Sequence, residues 1–122
     1  ISRWRLSDNE DILYKATHIN HPSNVWARTT SENYMWLYQL FNALCAEYTH
    51  RYGKVHKTSA LLTVLSELPK HIPINKMTEV PQAMPDKYRM NDSIDAYRAY
   101  YNGDKVKFSK YTKREYPEWL EI

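Results

Sequence analysis

A basic and aromatic cluster surrounds Gly53, and its residue types suit contact with phosphate. Its members are Arg51, Tyr52, Lys54, His56 and Lys57. Arginine and lysine neutralise the phosphates of a nucleic-acid backbone, and a tyrosine ring stacks on a base or a sugar. Cations at a helix C-terminus also complement the helix dipole without any ligand. The cluster is therefore a candidate nucleic-acid contact, with dipole compensation as the alternative.

A second basic run lies near the C-terminal end of the chain. It comprises Lys107, Lys110, Lys113 and Arg114. In a helix, the i, i+3, i+7 spacing of Lys107, Lys110 and Arg114 places the three side chains on one face. Phe108 and Tyr111 then point inward on the opposite side. Basic residues interleaved with aromatic ones suit a nucleic-acid backbone. This helix face is a second candidate contact, and a solvated basic surface is the alternative.

Histidines supply the candidates for proton transfer, because imidazole titrates near neutral pH. His18 and His21 are three residues apart, a spacing found in some metal sites. Pro22 breaks the helix that would aim both rings at one ion, and no cysteine or carboxylate lies nearby in the sequence, so we predict no metal. Capping or packing is the alternative role for His21 and Trp26. The catalytic candidates are His18, His21 and His56, and the pocket candidates are Trp26, Arg28, Tyr100 and Tyr101.

The remaining residues with chemical potential have structural explanations. Cys45 falls on the apolar face of a helix, where a small core residue is expected. Asp92 and Asp95 lie in a first helical turn, where carboxylates cap the helix and complement its dipole. Two glycines are too few for a glycine-rich phosphate loop. No cofactor is indicated, the catalytic residues stay unassigned, and the sequence leaves open whether the protein is an enzyme.

These residues are positioned by a predicted all-α fold: a compact bundle of three main helices, a short leading helix and a proline-bearing extended strap. Apolar residues recur at three- and four-residue steps over 30–52, 57–68 and about 93–112. Four prolines exclude regular helix from the strap at 69–91, and its apolar residues, Ile74 among them, are expected to lie against the body. Residues 1–11 are expected to form a polar arm and 12–17 a turn of helix. We treat 1–122 as a single helical domain.

The helix ends are predicted from capping chemistry. Thr29 and Glu32 have the spacing of a capping box for the central helix, and Gly53 is well placed to end that helix. Ser23 is expected to cap the short leading helix over 24–28. Gly103 predicts a kink or break within the last helix, because glycine disfavours a helix interior.

Composition limits the class of protein. The chain has 122 residues, enough for one domain, and its 43% hydrophobic and 25% charged residues are typical of globular proteins. The net charge is +3, and residues 51–122 carry thirteen basic and nine acidic side chains, which favours an anionic partner. A single cysteine predicts a reducing, cytoplasmic setting, and no apolar run approaches the length of about 18 residues that spans a membrane. Because the chain begins with Ile1, we expect a segment to precede it.

Several motifs resemble those of a family of small uncharacterised proteins from bacteriophages and marine metagenomes. The resemblance covers nearly the whole chain. It is carried by His18-x-Asn20-His21-Pro22-x-x-x-Trp26-x-Arg28, Asn33-Tyr34-x-Trp36-Leu37, Glu47-Tyr48-x-x-Arg51-Tyr52-Gly53-Lys54-x-His56-Lys57, Pro81-Gln82-Ala83-Met84-Pro85, Tyr97-Arg98-x-Tyr100-Tyr101 and Tyr111-Thr112-Lys113-Arg114-x-x-Pro117-x-Trp119.

The resemblance implies a phage-type protein located in the cytoplasm of a host cell. Members of the family carry an additional N-terminal stretch with Cys, Asp, Lys and His. They also bear a likeness to phage pyrimidine-dimer DNA glycosylases, which are small, helical and basic, and this likeness implies DNA processing. Those enzymes use a free N-terminal amine as nucleophile. Ile1 matches no such motif, so that mechanism is not carried over to this chain.

Three functions are compatible with these observations. The first is nucleic-acid binding or DNA processing, with the phosphate backbone contacted by the basic loop and the basic helix face. The second is a protein-interaction or oligomerisation module, in which exposed tyrosines and tryptophans anchor an interface. The third is a small-molecule enzyme, acting on nucleotides, with a histidine-lined pocket. Expected partners are therefore a nucleic acid or a second copy of the chain, and no membrane.

Overall fold

The computed structural model describes Leu13 and residues 17–121, and these residues form helices and turns with no strand. The all-α prediction is confirmed. The fold divides after Thr78 into two compact units. The predicted arm at 1–11 and most of the helical turn predicted at 12–17 lie outside the described residues.

The first unit is built around α2 (Ser31–Tyr52), a helix of 22 residues. Thr30 caps its N-terminus, because the Thr30 hydroxyl accepts a hydrogen bond from the backbone N–H of Asn33 at 3.1 Å. The predicted capping box of Thr29 and Glu32 is therefore wrong by one residue. The Thr29 hydroxyl donates instead to the carbonyl of Val25 at 2.6 Å.

The C-terminal end of α2 is the one predicted. Gly53 has φ of 68° and donates its N–H to the carbonyl of Thr49 at 2.9 Å, which is the left-handed termination that glycine adopts at low cost. Cys45 is buried on this helix, as expected of a core residue. The first and last residues of α2 are thus close to the sequence prediction.

The leading helix α1 (Pro22–Ala27) begins two residues earlier than predicted. His21, and not Ser23, is its N-cap: Nδ1 of His21 accepts from the backbone N–H of Ser23 at 3.1 Å. Pro22 then occupies the first helical position, where a missing N–H costs nothing. The Pro22 that was expected only to break a helix therefore also begins one.

The predicted α-helix over 57–68 is replaced by a 3-10 helix at Lys57–Leu61 that continues into α3 (Leu62–Leu65). Pro69 has no N–H to donate to the carbonyl of Leu65, so the α-helix cannot continue there. The hydroxyl of Tyr34 on α2 donates to that carbonyl instead, at 2.7 Å. Leu61 and Leu65 form the hydrophobic core of this unit together with Leu13, Tyr38, Phe41 and Val64.

The part of the strap in the first unit runs alongside the N-terminus of α2. The backbone N–H of Ser31 donates to the carbonyl of Pro73 at 2.8 Å, and the N–H of Glu32 donates to the carbonyl of Asn75 at 3.3 Å. These are N–H groups that a helix cannot satisfy internally. Ile74, predicted to lie against the body, is 89% exposed, because the strap is held here by the backbone carbonyls of Pro73 and Asn75 and not by burial of the Ile74 side chain.

The second unit contains a 3-10 turn at Asp86–Tyr88 and the helix α4 (Ser93–Tyr100), which Asp92 caps as predicted. The helical path continues through a π-helical turn at Tyr101–Lys105 and a 3-10 turn at Val106–Phe108. The irregularity predicted at Gly103 is confirmed. The helix predicted to reach residue 112 ends at Phe108. Phe108, which was expected to point inward, is 70% exposed.

Candidate nucleic-acid interface

The C-terminal end of α2 and the residues after it form a cluster of three aromatic rings. The ring of Tyr48 has the Tyr52 ring at 4.9 Å and the His56 ring at 4.7 Å between centroids. Gly53 makes this possible, because its left-handed backbone turns the chain so that residue 56 returns towards Tyr48. We call residues 51–57 the basic loop. Two of its predicted site residues, Tyr52 and His56, are thus brought to one place.

His56 has a defined hydrogen-bonding role in this loop. Its Nδ1 accepts from the backbone N–H of Thr58 at 3.2 Å and so caps the 3-10 helix that follows. Nδ1 also lies 2.7 Å from the Thr58 hydroxyl, which can donate to it as well. Because a backbone N–H can only donate, this arrangement turns the lone pair of Nδ1 towards Thr58 and leaves Nε2 as the N–H donor. In this state the outer edge of the His56 ring is a hydrogen-bond donor.

The cations of the basic loop differ in their surroundings. Arg51 is paired with Glu47, with Nε of the arginine 2.7 Å from Oε2 of the glutamate. Lys54 and Lys57 are exposed on either side of His56. No acidic residue occurs in the sequence between Glu47 and Glu67. The loop therefore presents positive charge through its two lysines, while Arg51 offsets the charge of Glu47.

The second predicted contact does not form as a helix face. The helical path ends at Phe108, so Lys107, Lys110 and Arg114 do not share the face that their spacing predicted. Lys113 has a left-handed backbone, with φ of 58°. The ammonium of Lys107 lies 5.1 Å from the centre of the exposed Phe108 ring. The segment is a basic turn with one exposed aromatic ring.

The pocket candidates have other partners. In the first unit, Trp26 is buried and its Nε1 donates to the carbonyl of Thr78 at 3.1 Å, while Arg28 donates to the carbonyl of Ile19 at 2.7 Å. In the second unit, Tyr100 is the last residue of α4 and Tyr101 is the first residue of the π-helical turn.

The rings of the second unit are packed against one another and against lysines. Tyr100 has its ring 5.5 Å from that of Tyr88 and 6.2 Å from that of Tyr101. The ammonium of Lys105 lies 5.3 Å from the centre of the Tyr100 ring. Tyr101 is partly exposed. These contacts organise the second unit.

The three candidate histidines are not gathered around one pocket. His21 caps α1, which is bonded to the first turn of α2 through Asn33, whereas His56 contacts Tyr48 near the other end of α2. Fifteen residues of helix separate Asn33 from Tyr48, which corresponds to about 22 Å. His18 lies before α1 with φ of 50°, and its carbonyl accepts from the Asn24 amide at 2.7 Å.

One contributor to the site, Tyr48, was missed at the sequence level. It is one of the residues that recur at three- and four-residue steps over 30–52, and its ring contacts both Tyr52 and His56. The i, i+4 spacing of Tyr48 and Tyr52 indicates their contact, but the contact with His56 depends on the turn at Gly53. Outside this site, Asn33 was named only as part of a motif, and it is buried completely.

An exposed apolar stripe also follows α2. Trp36, Leu40 and Leu44 recur every four residues and are each about half exposed. No charged residue occurs from position 33 to position 46. This stripe is the observation that favours the interaction or oligomerisation alternative.

Within Leu13 and residues 17–121, no group of three or more histidine, cysteine, aspartate or glutamate side chains is placed to hold a metal ion. The described helices include none with the length and apolar character needed to cross a membrane. Comparisons with protein-family models, with curated proteins and with solved structures found no match. The resemblance to phage and metagenomic proteins therefore stays a prediction.

Proposed function

We propose that this protein binds nucleic acid and contacts its phosphate backbone through the basic loop at 51–57. The observation that carries the proposal is the ring cluster at the end of α2, where Tyr52 is 53% exposed beside two exposed lysines. An exposed aromatic ring next to cations is the arrangement used to stack a base while neutralising its phosphates.

The charge distribution supports an anionic ligand at this place. Glu47 is the nearest acidic residue before the loop, and Arg51 pairs with it. The dipole of α2 places partial negative charge at its C-terminus, and the basic residues there exceed what one helix end requires. The basic turn at 105–114, which has five basic residues and no acidic one, supports the same class of ligand from the second unit.

The first test measures how binding depends on salt when the loop loses its charge. Fluorescence anisotropy with labelled DNA is recorded at several salt concentrations for the wild type and for Lys54→Ala with Lys57→Ala. Each lost phosphate contact lowers the slope of log affinity against log salt by about 0.7 for single strands. We expect the double variant to lower that slope by about 1.4 and to weaken binding to all sequences alike.

A charge-matched control distinguishes the effect of the loop lysines on binding from the effect of net charge. Lys70→Ala with Lys76→Ala removes the same charge from exposed positions elsewhere in the first unit. We expect this variant to change the slope much less than the loop variant. Equal effects of the two pairs would contradict a site at the loop, and an absence of salt-sensitive binding would contradict the proposed function itself.

Self-association is a second candidate function, and the apolar stripe of α2 favours it. Leu40 lies midway between Trp36 and Leu44, so the stripe has the same pattern in both directions along the helix. Such a stripe suits a two-fold pairing of antiparallel helices from two copies. The association state of the protein in solution tests this candidate.

A further inference from the structure

Tyr52 presents a stacking surface at the end of α2. Its ring is held at one side by Tyr48, with the two ring planes inclined by 51°, and more than half of the residue is open to solvent. Tyr48 itself is half-buried, so it anchors Tyr52 to the helix. A ring that is anchored on one side loses little conformational freedom when a planar group stacks on it.

His56 presents a hydrogen-bond donor beside that surface. Its ring meets the Tyr48 ring edge-on, with the planes at 88°, and its Nδ1 faces both the backbone N–H and the hydroxyl of Thr58. The N–H at Nε2 is then suited to a phosphoryl oxygen, which accepts hydrogen bonds readily. Lys54 and Lys57 add charge close to the same place in the sequence.

The two groups are within reach of one nucleotide. Because the Tyr52 and His56 rings both contact Tyr48, their centroids are within about 10 Å of each other. One nucleotide spans such a distance between its base and a flanking phosphate. In a duplex the faces of the bases are covered by their neighbours, so a protein ring stacks on bases that are unpaired.

We infer that the ligand of the basic loop is single-stranded nucleic acid, with one base stacked on Tyr52 and a flanking phosphate bound by the Nε2–H of His56. The inference rests on the proposed function and names its substrate class. Duplex DNA meets the same lysines but offers no open base face to Tyr52, so it binds more weakly.

The test compares a labelled short oligothymidylate with its duplex and uses variants that keep the fold. Wild-type protein should bind the single strand about tenfold more tightly than the duplex. Tyr52→Ala should weaken single-strand binding about tenfold and leave duplex binding unchanged, and Tyr52→Phe should retain the affinity because its ring remains.

His56→Asn tests the Nε2–H donor separately from the N-cap role of the side chain. Asparagine is a good N-cap residue whose side-chain oxygen can accept from the N–H of Thr58, so the melting temperature should stay near that of the wild type. The Nε2–H is lost, and single-strand affinity should fall about fivefold. His21→Asn is the matched control, because His21 caps α1 in the same way at the other end of α2, and it should not alter binding.

Equal affinity for single strand and duplex would overturn the inference, as would Tyr52→Ala that binds the single strand like the wild type. Either result leaves the proposed function standing if the loop lysines still govern salt-sensitive binding. If His21→Asn and His56→Asn weaken binding equally, the role of the Nε2–H is overturned. If neither form of DNA binds in a salt-sensitive way, the proposed function fails together with the inference.

Discussion

Asn33 is the residue at which the polar contacts of the first unit converge. Its amide nitrogen donates to the carbonyl of Trp26 and to the hydroxyl of Thr78, both at 2.9 Å. Its amide oxygen accepts from the backbone N–H of Thr78, also at 2.9 Å. The side chain is fully buried, so one residue of α2 joins α1 and the strap to that helix.

Removing the Asn33 amide should therefore destabilise the first unit. Asn33→Ala leaves a buried carbonyl and a partly buried N–H without their partners, and we expect a loss of about 2–3 kcal/mol in the free energy of unfolding. Asn42→Ala, at an exposed position of the same helix, should change it by less than about 0.5 kcal/mol. Chemical denaturation of both variants measures the difference, and equal stability would contradict the anchoring role.

The histidines show how far residue types alone could be interpreted. The spacing of His18 and His21 is found in some metal sites, both were catalytic candidates with His56, and a capping role for His21 was among the expected alternatives. The structure shows the same capping role at His56. Sequence could not indicate this second cap, because it depends on the fold of the turn between Gly53 and Lys57.

At the scale of elements, the second unit is organised by a close contact between Tyr88 and Gly103. A Cβ atom at position 103 would overlap the Tyr88 side chain. The Tyr88 hydroxyl donates to Oδ1 of Asp104 at 2.9 Å, which ties the 3-10 turn at Asp86–Tyr88 to the π-helical turn. Gly103 is thus required for space, whereas Gly53 is required for its left-handed backbone.

The contact predicts a non-additive pair of substitutions. Gly103→Ala alone should lower the free energy of unfolding by about 1–3 kcal/mol, because the added methyl group has no room. In a Tyr88→Ala background the same change should cost nothing or stabilise the protein slightly, since alanine is a better helix former than glycine. A double-mutant cycle by denaturant unfolding measures the coupling, and additive effects would show that the two residues do not meet.

The last helix illustrates where periodicity stops being informative. Its start at Asp92 and its irregularity at Gly103 follow from local preferences and were predicted. Its end at Phe108 was not, because Asn102 is engaged with distant residues: its amide nitrogen donates to the carbonyl of Trp119 at 2.9 Å, and its amide oxygen accepts from the N–H of Glu121 at 2.7 Å. These bonds hold the segment that follows in a non-helical path.

At the scale of the whole molecule, charge and apolar surface are distributed unevenly. Residues 79–122 carry eight basic and eight acidic side chains, so the excess positive charge belongs to residues 1–78. The apolar stripe of α2 is in the same unit and lies between Asn33 and the basic loop in the sequence. The first unit therefore holds both the proposed ligand site and the stripe proposed for self-association.

If the apolar stripe mediates self-association, the protein forms a dimer that charged side chains introduced into the stripe disrupt. Sedimentation velocity of the wild type should show a concentration-dependent increase in mass, and Leu40→Glu with Leu44→Glu should leave a monomer, because it places carboxylates in the apolar contact. Ile74→Glu is the control, since Ile74 is an exposed apolar residue outside the stripe. A wild type that stays monomeric at every concentration would contradict the second candidate function.

The sequence by itself determined the helical class, the length of α2 and its end at Gly53, the cap at Asp92 and the break at Gly103. All of these depend on apolar spacing or backbone preference within a few residues, which is information that a short segment carries. The basic and aromatic composition of the loop at 51–57 was equally evident.

Only the tertiary structure decided which of these residues meet. The pairing of Tyr48 with His56, the satisfaction of the α2 N-terminus by residues 73–78 and the separation of His21 from His56 all join or divide positions that are distant in the chain. The bonds at the α2 N-terminus form because its free N–H groups need acceptors, which the strap supplies. The contact of Tyr48 with His56 depends on the left-handed turn at Gly53. Local sequence therefore specified the residue types of the candidate site. Packing brought Tyr48, Tyr52 and His56 together at the end of α2, where we propose that site.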